Sequence, residues 1–488
     1  MLFNSLDFIF FFPLVVMLFF SIPLRMRWGL LLFASYFFYA YWKIEYLALI
    51  IITTITSYAA ALKLDALSEQ DGRRKYPLYI CLAINLAILF FFKYYNFAIS
   101  SIHDVTQLFY KDISFSYIDL LLPVGISFYT FQTISYVIDV YRGEIKPERH
   151  FGIFALYVTF FPQLVAGPIE RPSRLIPQFY VKNTFSWDDF YSGLLLIIWG
   201  FFLKIVIADR LAPYVNTVYS EPLLYSGGHF LLATYFFAIQ IFCDFAGYSI
   251  IAVGCARVLG YDLMMNFRRP YLSISIQDFW SRWHISLSTW FRDYLYIPLG
   301  GNRLSPFRHS INVMTVFVVS GLWHGANWTF FLWGALNGWY LVLANWRRKI
   351  FSNGVTKDKS FISIALSIFI TFHLVCFAWI FFRANSVGDA FYIIVNMTSG
   401  WRIDVAYMAS LIAPFGGGNL AISTFFTSLI FVVIMFFVHL IEEYRPKMII
   451  NYWKNSAYFS PICFGIMLAS ILLFGRLFNE AAFIYFQF

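Results

Sequence analysis

The most prominent pattern in this chain is a series of long apolar runs separated by short polar connections. Most runs are close to the length of about 20 residues that a membrane-spanning helix needs. They predict about 11 to 13 helices that span the membrane or re-enter it, with the run at 311–347 counted as two pieces. The runs occupy residues 8–24, 28–42, 45–62, 76–99, 117–140, 151–166, 190–208, 229–257, 311–347, 360–382, 420–441 and 457–475.

The composition supports the same fold class. Of the 488 residues, 60% are hydrophobic and 12% are charged, whereas a soluble domain is about 25% charged. The sequence contains no fixed-period repeat and no loop long enough for a separate soluble domain. We therefore predict an all-α polytopic membrane protein in which residues 1–488 form a single integral domain.

The start of the chain predicts a retained membrane span and not a cleaved signal peptide. It carries Asp7 and no basic residue, no small-residue cleavage site follows, and Arg25 and Arg27 come after the apolar run. A cleaved signal has the opposite arrangement of charge. Under the positive-inside rule, we expect the N-terminus to lie outside the cytoplasm.

The distribution of charge indicates which partners to expect, and the setting of the cysteines indicates their role. The net charge of +9 is dispersed through short connections, which is typical of cytoplasmic loops beside anionic lipid and not of nucleic-acid binding. The five cysteines lie in or near apolar runs without C-x-x-C spacing, and we interpret them as buried small side chains. Membrane lipids are therefore expected partners, and nucleic acid is not.

One segment does not fit the apolar pattern. Residues 268–303, RRPYLSISIQDFWSRWHISLSTWFRDYLYIPLGGNR, are too polar for an ordinary span and too aromatic for a loop. From about Ile276 they predict an amphipathic helix that ends at Pro298 and two glycines. Such a helix lies at the membrane interface or lines a wet cavity. One face carries Trp280, Trp283, His284, Leu287, Trp290, Phe291 and Tyr294, and the other carries Arg282, Ser286, Thr289 and Asp293.

A second segment places an imidazole inside an apolar run. His324 occurs in SGLWHGANW, within the uncharged stretch 311–343. As one helix this stretch would be about 50 Å long, which exceeds a hydrocarbon core of about 30 Å, yet it is too short for two full crossings and a turn. We therefore predict a break at Gly321 and Gly325, where glycine frees the backbone. A break that lines a cavity would also accommodate the polar side chain.

Two roles for His324 remain open on the residues alone. An imidazole titrates near neutrality and can take a proton from a hydroxyl that attacks an acyl group. Alternatively, His324 is a structural residue that bonds a backbone carbonyl. Asn327 and the pair Gly334 and Gly338 are explained equally well by helix packing.

Other chemistries are disfavoured by the sequence. His284 and His324 are the plausible metal-binding pair, but no cysteine or carboxylate cluster accompanies them at ligand spacing. The sequence contains no G-x-S-x-G elbow and no phosphate-binding loop, which disfavours a serine hydrolase and an ATP-driven machine.

Five stretches resemble the membrane-bound O-acyltransferase (MBOAT) family, and they are most similar to its branch that O-acetylates bacterial polysaccharides such as alginate, or peptidoglycan. They occur in the family's order and fall within residues 121–386. The stretches are LLPVGISFYTFQTISYVIDVYRG (121–143), FFPQLVAGPIERPSRLIPQ (160–178), QDFWSRWHISLSTWFRDYLYIPLGGNR (277–303), SGLWHGANWTFFLWGALNG (320–338) and WIFFRANS (379–386).

This resemblance implies a fold, a location and partners. The fold would be a ring of membrane helices around a thin tunnel, which the acyl donor enters from the cytoplasm and the acceptor from outside. The protein would be a multi-pass protein of the bacterial cytoplasmic membrane. It would bind no cofactor and use acetyl-CoA as donor substrate. Its partners would be a cell-surface glycan and a separate extracytoplasmic transferase resembling an SGNH hydrolase, because this sequence contains no such domain.

The resemblance also implies roles for the two histidines. His324 would be the catalytic histidine, and His284, in RWHISLS, would orient the donor or polarise its carbonyl. Basic residues near the cytoplasmic mouth would bind CoA phosphates, although positive-inside loops explain them equally well. The candidates for substrate binding are Trp323, Asn327, Asp244, Arg282, Arg268 and Arg269, with Arg303 as a further basic candidate.

The stretch CDFAGYSII (243–251) departs from the family pattern. Relatives typically carry Asp after Tyr-Ser, whereas this chain carries Ile250. Asp244 remains inside an otherwise apolar run, and it is a candidate for a cavity or a structural role.

Three alternative functions stay open at this stage. The family branch that transfers D-alanine towards teichoic acids shares the histidine positions, although STWFRDYLYIPLGGNR favours the acetylating branch. A channel or lipid transporter would tolerate replacement of His324. A platform that only recruits an extracellular enzyme would show no thioester turnover.

Overall fold

The computed structural model describes residues 1–109, 116–119, 121–165, 167–351, 360–446 and 459–476. Secondary structure in these ranges is helical, without a strand, so the prediction of an all-α fold is confirmed. The helices of the N-terminal half are α1 (Leu6–Ser21), α2 (Leu24–Ala40), α3 (Leu47–Ala66), α4 (Lys75–Leu89), α5 (Tyr95–Gln107), α6 (Ile126–Tyr141), α7 (Phe151–Thr159), α8 (Phe161–Leu164), α9 (Pro172–Leu175), α10 (Trp187–Phe201) and α11 (Asp209–Ser220).

The helices that follow carry most of the segments singled out from the sequence. They are α12 (Gly228–Val258), α13 (Ile276–Arg282), α14 (Ile285–Phe291), α15 (Pro306–His324), α16 (Trp328–Phe351), α17 (Phe361–Arg383), α18 (Val387–Asn396), α19 (Val405–Ile412), α20 (Gly418–Tyr444) and α21 (Phe459–Phe474). Residues 120, 166, 457 and 458 of the predicted apolar runs lie outside the described residues.

Six helical segments of the described chain are long and apolar enough to cross a membrane. This confirms a polytopic membrane protein, while the count of about 11 to 13 spanning or re-entrant helices stays a prediction. In two segments a π-helical turn, Phe90–Tyr94 or Phe202–Ala208, joins successive helices. The six are Ile44–Ala66, Gly72–Gln107, Trp187–Ser220, Gly228–Val258, Phe361–Arg383 and Gly418–Tyr444.

The chain divides into two compact units, each described by itself. Unit 1 comprises Met1–Ile197 and Ser249–Met265, and unit 2 comprises Ile198–Tyr248 and Asn266–Phe488. The prediction of a single integral domain over residues 1–488 stays a prediction.

In unit 1, polar side chains hold helices and loops together. Thr133 of α6 donates a hydrogen bond to Asn85 of α4 (3.1 Å), a type of contact that joins helices within membranes. The motif at 160–178 secures the loop that follows α12. There the buried Glu170 carboxylate accepts the Met264 amide (2.5 Å). The apolar run at 151–166 is broken at Phe160 into α7 and α8, of 9 and 4 residues, which are both too short to cross a bilayer.

In unit 2, α15 and α16 form an antiparallel hairpin that brings two glycines together. A Cβ at Gly321 would lie 3.1 Å from Gly334 Cα, and a Cβ at Gly334 would lie 2.3 Å from the Phe317 carbonyl oxygen. Nearer the open end, Trp346 donates to Ser310 (3.1 Å). A Cβ at Gly338 would lie 2.9 Å from Met314 Sδ. The small residues therefore let the backbones approach closely, which confirms the helix-contact interpretation of Gly334 and Gly338.

The hairpin corrects the expected length of this segment and confirms its break. The two helices contain 19 and 24 residues, because they continue into polar sequence at both ends. Ser305 accepts the Arg308 amide (3.3 Å) and Pro306 occupies the first helical position, which are favourable choices for a helix start. The break lies between His324 and Trp328, so Gly325 belongs to it while Gly321 lies inside α15.

The predicted amphipathic helix from Ile276 is wrong as a continuous element. It is interrupted at Trp283, which is extended, and at His284, which is left-handed with φ of 43°. The interruption also buries Ser286, which the helical pattern assigned to the polar face. Because helical spacing continues on both sides of the interruption, the sequence pattern did not reveal it.

The hairpin packing predicts different effects for two glycine-to-alanine substitutions. Gly334→Ala places a methyl group against the Phe317 carbonyl, and we expect it to lower the free energy of unfolding by about 1–3 kcal/mol. Gly29→Ala in α2 meets no atom within 4 Å, so its effect should be neutral or stabilising by up to about 1 kcal/mol. Thermal unfolding of the two variants in the same detergent measures the difference, and equal midpoints would contradict the close approach.

Candidate active site

Two buried histidines lie close together in unit 2. The ring centroids of His284 and His324 are 6.4 Å apart, and the two residues are 1% and 3% exposed. Each histidine lies at a helix boundary, since His284 precedes α14 and His324 is the last residue of α15. Two interrupted elements thus bring the histidines of RWHISLS and SGLWHGANW to one place.

His324 is enclosed by aromatic rings. Its ring centroid is 5.0 Å from that of Trp323, 5.1 Å from that of Trp333 and 5.4 Å from that of Phe382. A side chain at Gly325 would collide with the Phe330 ring, which lies 2.1 Å from the position of a Cβ. Because the carboxyl end of a helix favours positive charge, the end of α15 would stabilise the imidazolium that forms when His324 takes a proton.

His284 packs against Phe245, and Asn266 accepts hydrogen bonds from the backbone that follows His284. The ring of Phe245 packs edge-on at 4.6 Å from the imidazole. Asn266 accepts the first two amides of α14, that of Ile285 through its backbone carbonyl (2.9 Å) and that of Ser286 through its side-chain oxygen (3.2 Å). Asn266 therefore accepts amide hydrogen bonds of the kind that a helix N-cap residue usually accepts. Nothing in the sequence singles out Asn266, because it lies 18 residues before His284 and belongs to no recognisable motif.

A cavity of about 740 Å³ lies between α13–α14 and the hairpin, and residues close to both histidines along the chain line it, although neither imidazole does. It is lined by Ser320, which lies one turn before His324, and by Ile285, which follows His284. Basic and polar side chains contribute to its wall as well as aromatic ones, and they include Arg292, Arg348, His309, Asn302, Asn345 and Gln277. The sequence did not single out Arg348 or Asn345, because both lie in the polar end of α16 outside the matched stretches.

Comparison with known proteins decides the family. The model of the MBOAT family, the membrane-bound O-acyltransferases, matches residues 150–386. The protein named "Probable alginate O-acetylase AlgI" in Azotobacter vinelandii is 39% identical over 402 residues, which are 82% of this chain and 78% of that protein. The chain belongs to the membrane-bound O-acyltransferase family. It is therefore a multi-pass membrane O-acyltransferase.

Two further relatives in the MBOAT family differ in the acyl group that their names give, acetyl in one and D-alanyl in the other. "Peptidoglycan O-acetyltransferase" of Helicobacter pylori is 32% identical over 411 residues, which are 79% of this chain and 76% of that protein. "Teichoic acid D-alanyltransferase" of Bacillus subtilis is 29% identical over 283 residues, which are 55% of this chain and 70% of that protein. The similarity to the O-acetylating relatives thus extends over more of this chain.

Among the predicted site residues of this MBOAT protein, Trp323 and Asn327 lie beside His324 in sequence and differ in their contacts. The Trp323 ring is 6.0 Å from the His284 ring as well as next to His324, so it packs against both imidazoles. The Asn327 side chain accepts the Thr329 amide (3.0 Å) at the start of α16, as an N-cap residue does. These contacts give Asn327 a structural role, and its role in substrate binding stays a prediction.

Asp244 lies in a buried cluster of charges. The Lys204 ammonium is 2.6 Å from an Asp244 carboxylate oxygen and 2.8 Å from an Asp209 oxygen, and the three side chains are at most 4% exposed. Lys204 lies in the π-helical turn Phe202–Ala208, five residues before Asp209, and π-helical turns pair residues at this spacing. Since Phe245 packs on His284, the ion pair anchors α12 next to the site. These contacts favour the structural alternative for Asp244.

The predicted arginines are divided between ion pairs and the surface. Arg269 and Arg282 both contact Glu443 of α20, at 2.6 Å and 2.9 Å, and Arg282 also pairs with Asp278 (2.8 Å). Arg268 is exposed, and so is the further candidate Arg303. None of these four arginines lines the cavity beside the histidines.

Two remaining expectations concern metals and the family's acidic position. The described residues contain no group of three or more histidine, cysteine or acidic side chains that could hold a metal ion. Ile250, where relatives typically carry Asp, is half-buried in α12. The absence of a bound cofactor stays a prediction.

The buried charge cluster predicts a large effect for one lysine. Lys204→Met leaves two carboxylates without their cation, and we expect it to lower the free energy of unfolding by about 3–5 kcal/mol. Removing the carboxylates as well, with Asp209→Asn and Asp244→Asn, should recover part of the loss because no uncompensated charge remains. The control is Lys63→Met on the exposed surface of α3, and thermal unfolding compares all three. A Lys204 variant as stable as the Lys63 control would show that the cluster does not stabilise the fold.

Proposed function

We propose that this MBOAT protein moves an acetyl group from acetyl-CoA, on the cytoplasmic side of a bacterial cytoplasmic membrane, to a hydroxyl acceptor on the other side. The acceptor is a cell-surface polysaccharide or peptidoglycan, reached through an extracytoplasmic partner transferase that resembles an SGNH hydrolase. The observation that carries this proposal is that two buried histidines lie 6.4 Å apart, and that Ile285 and Ser320, next to them along their helices, line a cavity of about 740 Å³. The names of the O-acetylating relatives support the choice of acyl group.

The chemistry requires a base and an acyl donor, and no energy input. His324 takes the proton of the acceptor hydroxyl as its oxygen attacks the thioester carbonyl carbon. The carbon–sulfur bond then breaks, and the proton passes from the imidazolium to the CoA thiolate. His284 orients the donor or polarises its carbonyl, since a donor group aimed at the developing oxyanion lowers the barrier. Both rings are buried among aromatic side chains, and such low-dielectric surroundings strengthen these interactions.

The cavity suits the donor. Its volume falls in the range of about 300–1,000 Å³ that is typical of small-molecule sites. Arg348 and Arg292 line it, and the Arg348 guanidinium donates to the Gln277 side chain (2.6 Å). Guanidinium groups pair well with phosphate oxygens, so these two arginines replace Arg268 and Arg269 as the proposed contacts of the CoA phosphates.

The proposed base predicts the loss of thioester cleavage in one variant. The purified chain in nanodiscs receives acetyl-CoA, and free CoA is followed over time. We expect His324→Ala to lower the rate by about 10²–10⁴-fold, because it removes the general base. The control, His103→Ala, removes a half-buried imidazole of α5 and should leave the rate unchanged.

Three outcomes of this assay separate the hypotheses. Equal rates in the wild type and His324→Ala would exclude His324 as the base. If free thiol is released from a D-alanyl carrier thioester and not from acetyl-CoA, the protein would be assigned to the D-alanylating branch of the family. If nothing turns over, the assay is repeated with the extracytoplasmic partner present, and a second failure would contradict the proposed activity.

The donor cavity predicts a separate effect on substrate affinity. Arg348→Ala should raise KM for acetyl-CoA by about tenfold, the loss expected for one charge-assisted hydrogen bond, while kcat stays within about twofold. Arg347 and Arg348 are both exposed, but of the two only Arg348 lines the cavity, so Arg347→Ala is the matched control. Steady-state kinetics at two salt concentrations measure both, and equal KM values in the two variants would exclude this cavity as the donor site.

A further inference from the structure

The described residues contain two non-glycine residues in the left-handed backbone region. They are Arg269, with φ of 49°, and His284, with φ of 43°. This conformation strains residues that carry a Cβ, and it persists only where the surroundings stabilise it. The strained residues are therefore a histidine of the candidate site and an arginine that the proposed chemistry does not use.

The two strained turns are hydrogen bonded to each other. The backbone amide of Arg268, which precedes one of them, donates to the carbonyl of Arg282 (2.9 Å), which lies just before the other. Asn266 accepts the amides of Ile285 and Ser286, on the far side of His284. Residues 266–269 and 282–286 are thus joined by three hydrogen bonds, and we call them the laced segments. Because of these bonds, a movement of one segment would displace the other.

A single carboxylate bridges the same two segments from outside. Glu443, at the end of α20, accepts from Arg269 through one oxygen (2.6 Å) and from Arg282 through the other (2.9 Å). Both guanidinium groups are partly buried, at 29% and 20% side-chain exposure, so solvent screens these pairs less than ordinary surface pairs. The adjacent Glu442 approaches Arg269 at 3.5 Å and is 41% exposed.

We propose that Glu443 is a positioning residue for His284, because its bridge between Arg269 and Arg282 holds the laced segments in the conformation that places the imidazole in the site. This inference rests on the proposed function in that it gives His284 a part in acyl transfer. The bridge itself is a property of the fold, and it is tested without catalysis. Glu443 accepts hydrogen bonds from the two arginines, and in this proposal it acts through the backbone that carries His284.

Amide hydrogen exchange on the full-length protein in nanodiscs tests the bridge directly. In Glu443→Ala, we expect peptides covering residues 283–291 to exchange about tenfold faster, because the amides of Ile285 and Ser286 lose the support of the laced segments. Glu442→Ala is the matched control and should change this rate by at most about twofold. Unchanged exchange in Glu443→Ala would overturn the proposal. If that variant is not recovered monodisperse, Glu443→Gln keeps the side-chain volume and should show a smaller change in the same direction.

A second substitution distinguishes positioning from a loss of charge. Glycine adopts the left-handed region without the steric penalty of a Cβ, so Arg269→Gly added to Glu443→Ala should return exchange at residues 283–291 to within about twofold of the wild type. If Arg269 instead needed its charge to hold the segment, the double variant would exchange at least as fast as Glu443→Ala, which would contradict the proposal.

Acetyl-CoA cleavage adds a functional readout. We expect Glu443→Ala to lower kcat about tenfold with KM for acetyl-CoA within about twofold, and Arg269→Gly to restore kcat, since a displaced catalytic group slows the chemical step without weakening binding. A tenfold rise in KM at constant kcat would mean that Arg269 or Arg282 binds the donor, and would overturn the proposal. Loss of turnover in the wild type would contradict only the proposed activity, because the exchange experiment is independent of it.

Discussion

The structure depends on how backbone amide and carbonyl groups find hydrogen-bond partners where helices end among apolar residues. A helix end within a low-dielectric region exposes amide and carbonyl groups that need partners from the protein. At the start of α14, Asn266 supplies those partners with its carbonyl and its side-chain oxygen. At the start of α16, the Asn327 side chain accepts an amide of the first turn. Both candidate catalytic histidines lie next to such a helix end. The hydrogen bonds that satisfy the backbone there therefore also hold the histidines in position.

Close packing of the hairpin makes the second of these helix ends possible. Glycines on α15 and α16 let the two backbones approach until a methyl group would no longer fit at Gly334. The approach leaves the end of α15 beside a cluster of large rings, in which Trp333 and Phe382 surround the His324 imidazole. Aromatic packing of this kind excludes water and fixes ring orientation, which are conditions that acyl transfer to a hydroxyl requires.

Two clusters of buried or partly buried charge in unit 2 each lie beside irregular backbone. Lys204 and its two carboxylates lie where the π-helical turn before α11 meets α12. Glu443 and its two arginines lie where the strained turns at Arg269 and His284 run side by side. Only 12% of the residues are charged, and these two clusters add directional contacts to apolar packing, which has no directional preference.

Much of this was accessible from one sequence. Apolar runs of spanning length predict a helical membrane protein because the hydrocarbon core requires them. A histidine in an uncharged run indicates a break or a cavity, because an isolated polar group is unfavourable there, and the structure has a break directly after His324. Motif resemblance led to the MBOAT family, and the matched residues 150–386 include both histidines.

Sequence periodicity could not decide where His284 lies or what holds it. Helical spacing runs through the segment from Ile276 to Tyr294 without a gap, yet the chain leaves the helix at His284 because Asn266 and the laced segments compensate the lost helical bonds. The partners of the predicted arginines were equally hidden, since Glu443 lies more than 150 residues away along the chain. The amino-acid sequence by itself determined the helical fold class, the membrane environment and the chemistry available. Only the tertiary structure decided which polar groups meet, because hydrogen bonds and ion pairs between distant segments depend on packing and leave no periodic signal.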